Sequence, residues 1–254
     1  MSFSNKRVVI TGGAGAMGRL LCHAFLQEGA SLTIVDRAES MDMSEGVKFL
    51  RGDLSSYEGI QNVANKLAAE NVDILINLAG FQYFGLFEQQ DPENQMLLYM
   101  VNLIAPLMLS QAVLPGVKSR ASVLIVNVGS TFGSINFAHF VTYSSSKAGL
   151  KGFSEALRRE LVNDGVNVTY IAPRAVNTPM NTEQVMQYAK ITKMNMDSPE
   201  SVVEKMLQAI RGKKKDVYIG FPESMFVRIN AVLPRVVDMA LAGDDKKVKT
   251  LFDE

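Results

Sequence analysis

Seven short runs rich in β-branched residues, separated by longer stretches with helical spacing, limit most strongly how this chain can fold. The runs lie at 8–11, 31–35, 47–51, 74–77, 122–128, 166–171 and 216–219. They are continuously apolar rather than alternating, as strands covered on both faces should be. Helical periodicity fills the gaps at 17–28, 55–69, 93–114, 143–163 and 199–210. Strand and helix in alternation predict βαβ units. The expected fold is therefore α/β: a Rossmann-type, doubly wound, seven-stranded parallel sheet with helices on both faces. Such sheets bind ligands beyond the carboxyl ends of their strands, where the winding reverses. With 254 residues and no linker or repeat, 1–254 is expected to be one domain.

Charge narrows the function classes. Lys+Arg and Asp+Glu both number 26, so no global field recruits nucleic acid or an anionic membrane. A single cysteine, Cys22, suits a reducing compartment. The first strand begins near Arg7, leaving no room for a signal peptide, and no apolar stretch is expected to reach the ~20 residues that span a bilayer. A cytoplasmic location is the expectation.

The first strand runs into Thr11-Gly12-Gly13-Ala14-Gly15-Ala16-Met17-Gly18 and then a helix. Gly13, Gly15 and Gly18 give G-x-G-x-x-G in the strand–turn–helix setting that the motif requires. Backbone without Cβ atoms can turn tightly against a pyrophosphate, and the helix N-terminus offers it unpaired N–H groups. Gly12, Gly13, Gly15, Met17 and Gly18 are the candidate contacts. Asp36 closes the second strand, where a carboxylate accepts from ribose hydroxyls and repels a 2′-phosphate, favouring NAD over NADP. The neighbouring Arg37 could instead hold that phosphate.

Tyr143-Ser144-Ser145-Ser146-Lys147 places Tyr143 and Lys147 on one helix face. Asn77-Leu78-Ala79-Gly80 follows the fourth strand, Asn102 lies in the helix after it, and Ser130 ends the fifth strand 13 positions before Tyr143. In this order and spacing the motifs resemble the short-chain dehydrogenase/reductase family, in its branch of about 250 residues. The resemblance covers residues from Arg7 to about Gly220.

The resemblance implies hydride transfer between a nicotinamide cofactor and a secondary alcohol or ketone. Tyr143 would be the general acid/base, its phenol acidified by Lys147 and by oxidised cofactor. Lys147 would also hold the nicotinamide ribose, Ser130 the substrate oxygen, and Asn102 a water linking Lys147 to solvent. Asp53 and Leu54 would meet the adenine, and Asn77, Ala79 and Gly80 would adjoin the cofactor. Pro173, Val176 and Thr178, after the sixth strand, would meet its nicotinamide end. The family commonly pairs two long helices, so a homodimer or homotetramer is implied. No metal is expected, since His23 and His139 lack ligand-spaced partners.

Two positions depart from the family pattern. Ala16 replaces a loop glycine, and the resulting spacing also fits the epimerase-like branch, leaving an NAD-dependent epimerase or dehydratase open. A catalytically silent NAD-binding regulatory protein is the reading from another class. Arg174 replaces the glycine of Pro-Gly-x-Val-x-Thr; it either binds an acidic substrate group or pairs with a nearby carboxylate.

Residues 81–84, 132–140 and 180–196 should line the substrate pocket, whose aromatic and methionine content favours an apolar or bulky substrate. Residues 178–198 are read as a lid and 221–254 as a C-terminal extension. Within the extension, residues 223–241 carry an apolar stripe at helical spacing, interrupted by Pro234. That stripe should dock on the parent domain or a subunit; contact with membrane or a lipid-like substrate is the alternative. Lys246-Lys247-x-Lys249 reads as a solvated tail.

Overall fold

A computed structural model describes residues 1–39, 41, 46–115 and 123–252. Seven parallel strands form one sheet in the order β3-β2-β1-β4-β5-β6-β7. They are β1 Arg7–Thr11, β2 Ser31–Asp36, β3 Val47–Arg51, β4 Ile74–Asn77, β5 Val123–Val128, β6 Val166–Pro173 and β7 Asp216–Ile219. The expected Ser122 start of β5 lies outside the described residues. The order reverses between β1 and β4, where Thr11 pairs with Asn77 in register. The site is therefore sought above these two strand ends.

The apolar strand runs follow from burial on both faces. All of β4 and β5 is buried. One face is covered by α1 Ala16–Gln27 and α7 Pro199–Arg211, with Leu21, Phe25, Val202 and Met206 in its core. The other is covered by α2 Tyr57–Ala68 and α4 Ala105–Val113, through Ile60, Leu67, Leu109 and Val113.

The predicted helix over 93–114 is not one regular helix. It comprises α3 Pro92–Tyr99, a π-helical turn Met100–Ile104, and α4. Asn102 sits in the widened turn, and a π-turn in a helix frequently marks a functional site. By length and composition the helical stretch Pro92–Val113 is long and apolar enough to cross a membrane, its most apolar 18-residue window having a mean hydropathy of 1.7. This corrects the expectation that no stretch reaches that length. Polar residues within it hid the run, and in the fold α4 packs on α2 while α3 packs on α5 Val141–Glu160.

Two other segments also differ from the sequence expectation, and a third agrees with it. Residues 180–196 contain α6 Glu183–Ile191, capped by Thr182 and docked through buried Val185 and Tyr188. Pro234 breaks the apolar stripe into two helices, as its missing N–H leads one to expect: α8 Glu223–Val232 stops before it and α9 Pro234–Lys249 starts on it. The lysines read as a tail form the last turn of α9, where cations complement the helix dipole.

Candidate functional site

Four helix N-termini are closed by their own side chains, whereas that of α1, at the glycine loop, is not. Side chains of Ser56, Asp91, Thr182 and Ser198 cap α2, α3, α6 and α7, each with a glutamate in the first turn. By contrast, α1 begins at Gly15 with no capping side chain and no acidic residue in its first turn. Its N–H groups and partial positive charge remain for an anion. Close packing requires Gly18 here, because a Cβ would collide with the Gly12 carbonyl. Asp36 stands at the end of β2, accepting from Ala14 N at 3.0 Å and Ala38 N at 3.1 Å. Its carboxylate thus fixes the loop. The exposed Arg37 acts electrostatically on Asp53, whose carboxyl is held below the usual range chiefly by hydrogen bonds from Ser55. Leu54, next to Asp53, is buried.

Thr11 ties this loop to the next. Its Oγ1 accepts from Leu78 N and Ala79 N, both at 3.1 Å. Asn77, expected at the cofactor, turns its side chain into the interior. Its Nδ2 donates to Asn127 Oδ1 at 2.8 Å and Ser110 Oγ at 3.3 Å. Asn77 therefore joins β4 to β5 and α4, and the open side of the motif is Ala79-Gly80.

Tyr143, Lys147, Ser130 and Asn102 converge at the carboxyl ends of β4 and β5. Lys147 is buried, and its Nζ donates to Val128 O at 3.1 Å and lies 5.9 Å from the Tyr143 ring centre. Desolvation lowers its pKa to about 8. The Tyr143 phenol is instead raised by burial, partly offset by a hydrogen bond with the Ser130 side chain. The acidified phenol that the resemblance implies depends on Lys147 and oxidised cofactor together; within the protein itself burial is the larger influence on Tyr143.

Asn102 spends its side chain on structure. Oδ1 accepts from Phe81 N at 3.1 Å, while Nδ2 donates to Phe81 O at 2.9 Å and Ser146 Oγ at 3.2 Å. Ser146 Oγ donates in turn to Tyr143 O at 2.8 Å. These bonds fix the Asn102 side chain beside Gly80 and Lys147. Sequence reasoning missed Ser146, Thr11 and Tyr170, whose hydroxyl donates to Ser130 O at 3.3 Å. Nothing marked these three, because their roles arise from pairing across sequence separations of 40 residues or more, or within one helical turn.

A cleft open to solvent joins most of these groups. Met17, Gly80, Ser130, Tyr143, Lys147, Pro173, Val176 and Thr178 line it, with Phe132, Phe140, Met180 and Met194 on the apolar side. Gln82 crosses to the segment after β6, donating to Met180 O at 3.3 Å and Asn181 Oδ1 at 3.2 Å. Behind this wall Phe84, Phe132, Phe140, Tyr188 and Val248 form a buried cluster, with Tyr143 and Phe252 at its margin. Arg174 lines the cleft as well, with its guanidinium taken up by neighbouring groups. It binds Asp197 through Nε and Nη2 at 3.0 and 2.7 Å, and Glu223 and Phe221 O through Nη1, each at 2.9 Å. The carboxylate-pairing alternative is the one adopted.

Residues 6–189 match the family described as short chain dehydrogenase. A ketoacyl reductase of Nostoc sp. is 28% identical over 231 residues, covering 86% of this chain and 79% of its own. A D-xylose 1-dehydrogenase of Caulobacter vibrioides is 32% identical over 186 residues, covering 70% and 74%. Among solved structures, a short chain dehydrogenase from Burkholderia cenocepacia in complex with NADP matches with a TM-score of 0.82 and 24% identity, covering 95% of this chain and 99% of its own. A 4-hydroxyisoleucine dehydrogenase complexed with NADH gives 0.76 and 23%, covering 85% and 97%. At these identities the structural matches establish the fold alone.

Proposed function

The chain belongs to the short-chain dehydrogenase family, oxidoreductases acting on hydroxyl and keto groups, and on that premise we propose that it interconverts an apolar secondary alcohol and its ketone with NAD(H). The observation that carries this reading is the convergence of Tyr143, Ser130 and Lys147 on one cleft with an apolar far wall. The residues fit a dinucleotide: α1 presents an uncapped N-terminus, Asp36 faces the ribose position, and Gly80 leaves room beside Lys147. A Cβ at Gly80 would lie 2.9 Å from Asn102 Oδ1 and 3.4 Å from Lys147 Nζ. The bound cofactor supplies or accepts the hydride.

This chain's groups manage the oxygen. In reduction the ketone oxygen accepts from Ser130 Oγ and takes the Tyr143 proton; in oxidation the phenolate takes it back. A raised phenol pKa suits the donor role. The ammonium of Lys147 and the positive charge of oxidised nicotinamide favour the phenolate. Ser146 and Asn102 hold this constellation through Tyr143 O and the Phe81 backbone. Asp36 favours NAD by repelling a 2′-phosphate.

The segment 178–198, with α6, is the lid in this reading, and the exposed apolar residues Met96 and Leu97 of α3 belong to a subunit interface. A panel of aliphatic, acyl-chain and polyol ketones assayed with NADH and NADPH tests the proposal. Turnover of apolar ketones with NADH, shifting toward NADPH in Asp36→Ala, supports it. Preference for polyols, or for NADPH in the unaltered protein, refutes the corresponding part.

A further inference from the structure

The two C-terminal helices present a face that the fold does not bury. They dock through Val227 and Val237, which pack with Ile135 and Phe137. On the outward side Val232 is 77% exposed, Met239 72%, Leu233 56% and Val236 47%. Clustered exposure of this kind marks a surface that meets something apolar.

Charge is segregated on the same face. Helical spacing puts Arg228 beside Val232 on α8, and Arg235 and Lys246 beside Met239 on α9, all exposed. The carboxylates mostly turn elsewhere. Asp244 pairs with Lys247, and Asp245 is half-buried and acts electrostatically on His139. Asp238 is the one exposed carboxylate among the described residues of α8 and α9. A chain with balanced charge overall thus offers apolar side chains ringed by cations. A second copy seated on this face would bring together Arg228, Arg235 and Lys246 from both sides against one exposed carboxylate each, Asp238, an excess of like charge that disfavours self-pairing. An anionic bilayer satisfies both features, taking apolar tips into the acyl boundary and cations onto headgroup phosphates.

We propose that the α8–α9 hairpin docks this protein on an anionic lipid surface, with Val232, Leu233, Val236 and Met239 inserted and Arg228 and Arg235 on the phosphates. The inference does not depend on the identity of the substrate. Its test is co-sedimentation of the full chain with vesicles of phosphatidylcholine alone or mixed with phosphatidylglycerol, across a salt series. The expected result is binding to the anionic vesicles that weakens with salt. Val232→Asp combined with Leu233→Asp should weaken it about tenfold or more, and Arg228→Gln with Arg235→Gln should weaken binding to anionic vesicles alone. Thermal midpoints and NADH turnover of a water-soluble ketone should stay unchanged in these variants, which separates this idea from the proposed reaction. A protein that stays in the supernatant with both vesicle types overturns it. So does a Val232→Asp/Leu233→Asp variant that still pellets, or one whose mass by light scattering drops to a smaller oligomer while the unaltered protein ignores lipid.

Discussion

Replacing Lys147 by Met should stabilise the cofactor-free fold while abolishing turnover. Burial moves the lysine pKa from 10.5 to about 8, so the folded state binds its proton less tightly than the unfolded state does. A tenfold change in proton affinity is ~1.36 kcal/mol, so the charged ammonium costs the fold about 3 kcal/mol at neutral pH. Methionine has similar length and carries no charge, but forfeits the hydrogen bond to Val128 O, a loss of about 1 kcal/mol. The net gain is about 2 kcal/mol, or roughly 5 °C in melting midpoint for a chain of this size. The pH dependence gives the sharper signature. The penalty is fully present below pH 8 and fades as pH rises from about 8 toward 10.5, where the unfolded lysine also loses its proton. Melting curves of both proteins at pH 7 and pH 10 should show a gap at the lower pH that closes at the higher. A destabilised variant at pH 7, or a gap independent of pH, would refute the assignment of Lys147 as an uncompensated buried charge.

Three further perturbations probe other parts of the account. Arg174→Ala should leave Asp197 and Glu223 facing each other with little water and lower stability by about 3 kcal/mol, read by urea unfolding, with the KM for ketone unchanged. Thr11→Val should strip the acceptor from two backbone N–H groups, cost about 2 kcal/mol, and raise the KM for NADH more than it lowers kcat, as steady-state kinetics would show. Phe252→Ala removes a ring 5.4 Å from Phe84 and 4.8 Å from His139 at the back of the aromatic wall. It should raise kcat/KM for longer-chain ketones relative to short ones across a homologous series.

The sheet and the catalytic spacing were legible because each has a local signature. Burial on both faces writes apolar runs, and one helical turn writes Tyr143 and Lys147 four apart. What escaped was non-local or compensatory. The π-turn at Asn102 has no composition of its own; it follows from a side chain held to Phe81 and Ser146. Asn77 looks like a cofactor ligand beside Ala79-Gly80, yet the polar group that claims it, Asn127, lies on the neighbouring strand. The pocket region 180–196 concealed α6 because its apolar positions face the aromatic cluster rather than the main core. Arg174 was readable only as two alternatives, since its partners Asp197 and Glu223 are distant in sequence.

The central claim is that Tyr143 exchanges the proton while hydride moves at the cleft. Single-turnover reduction with NADH deuterated at C4, followed by mass analysis of the alcohol, tests it directly. The unaltered protein should deliver deuterium to the carbinol carbon. Tyr143→Phe should slow that transfer by roughly 10² to 10⁴ with NADH affinity retained. Transfer at an unchanged rate in Tyr143→Phe would contradict the account.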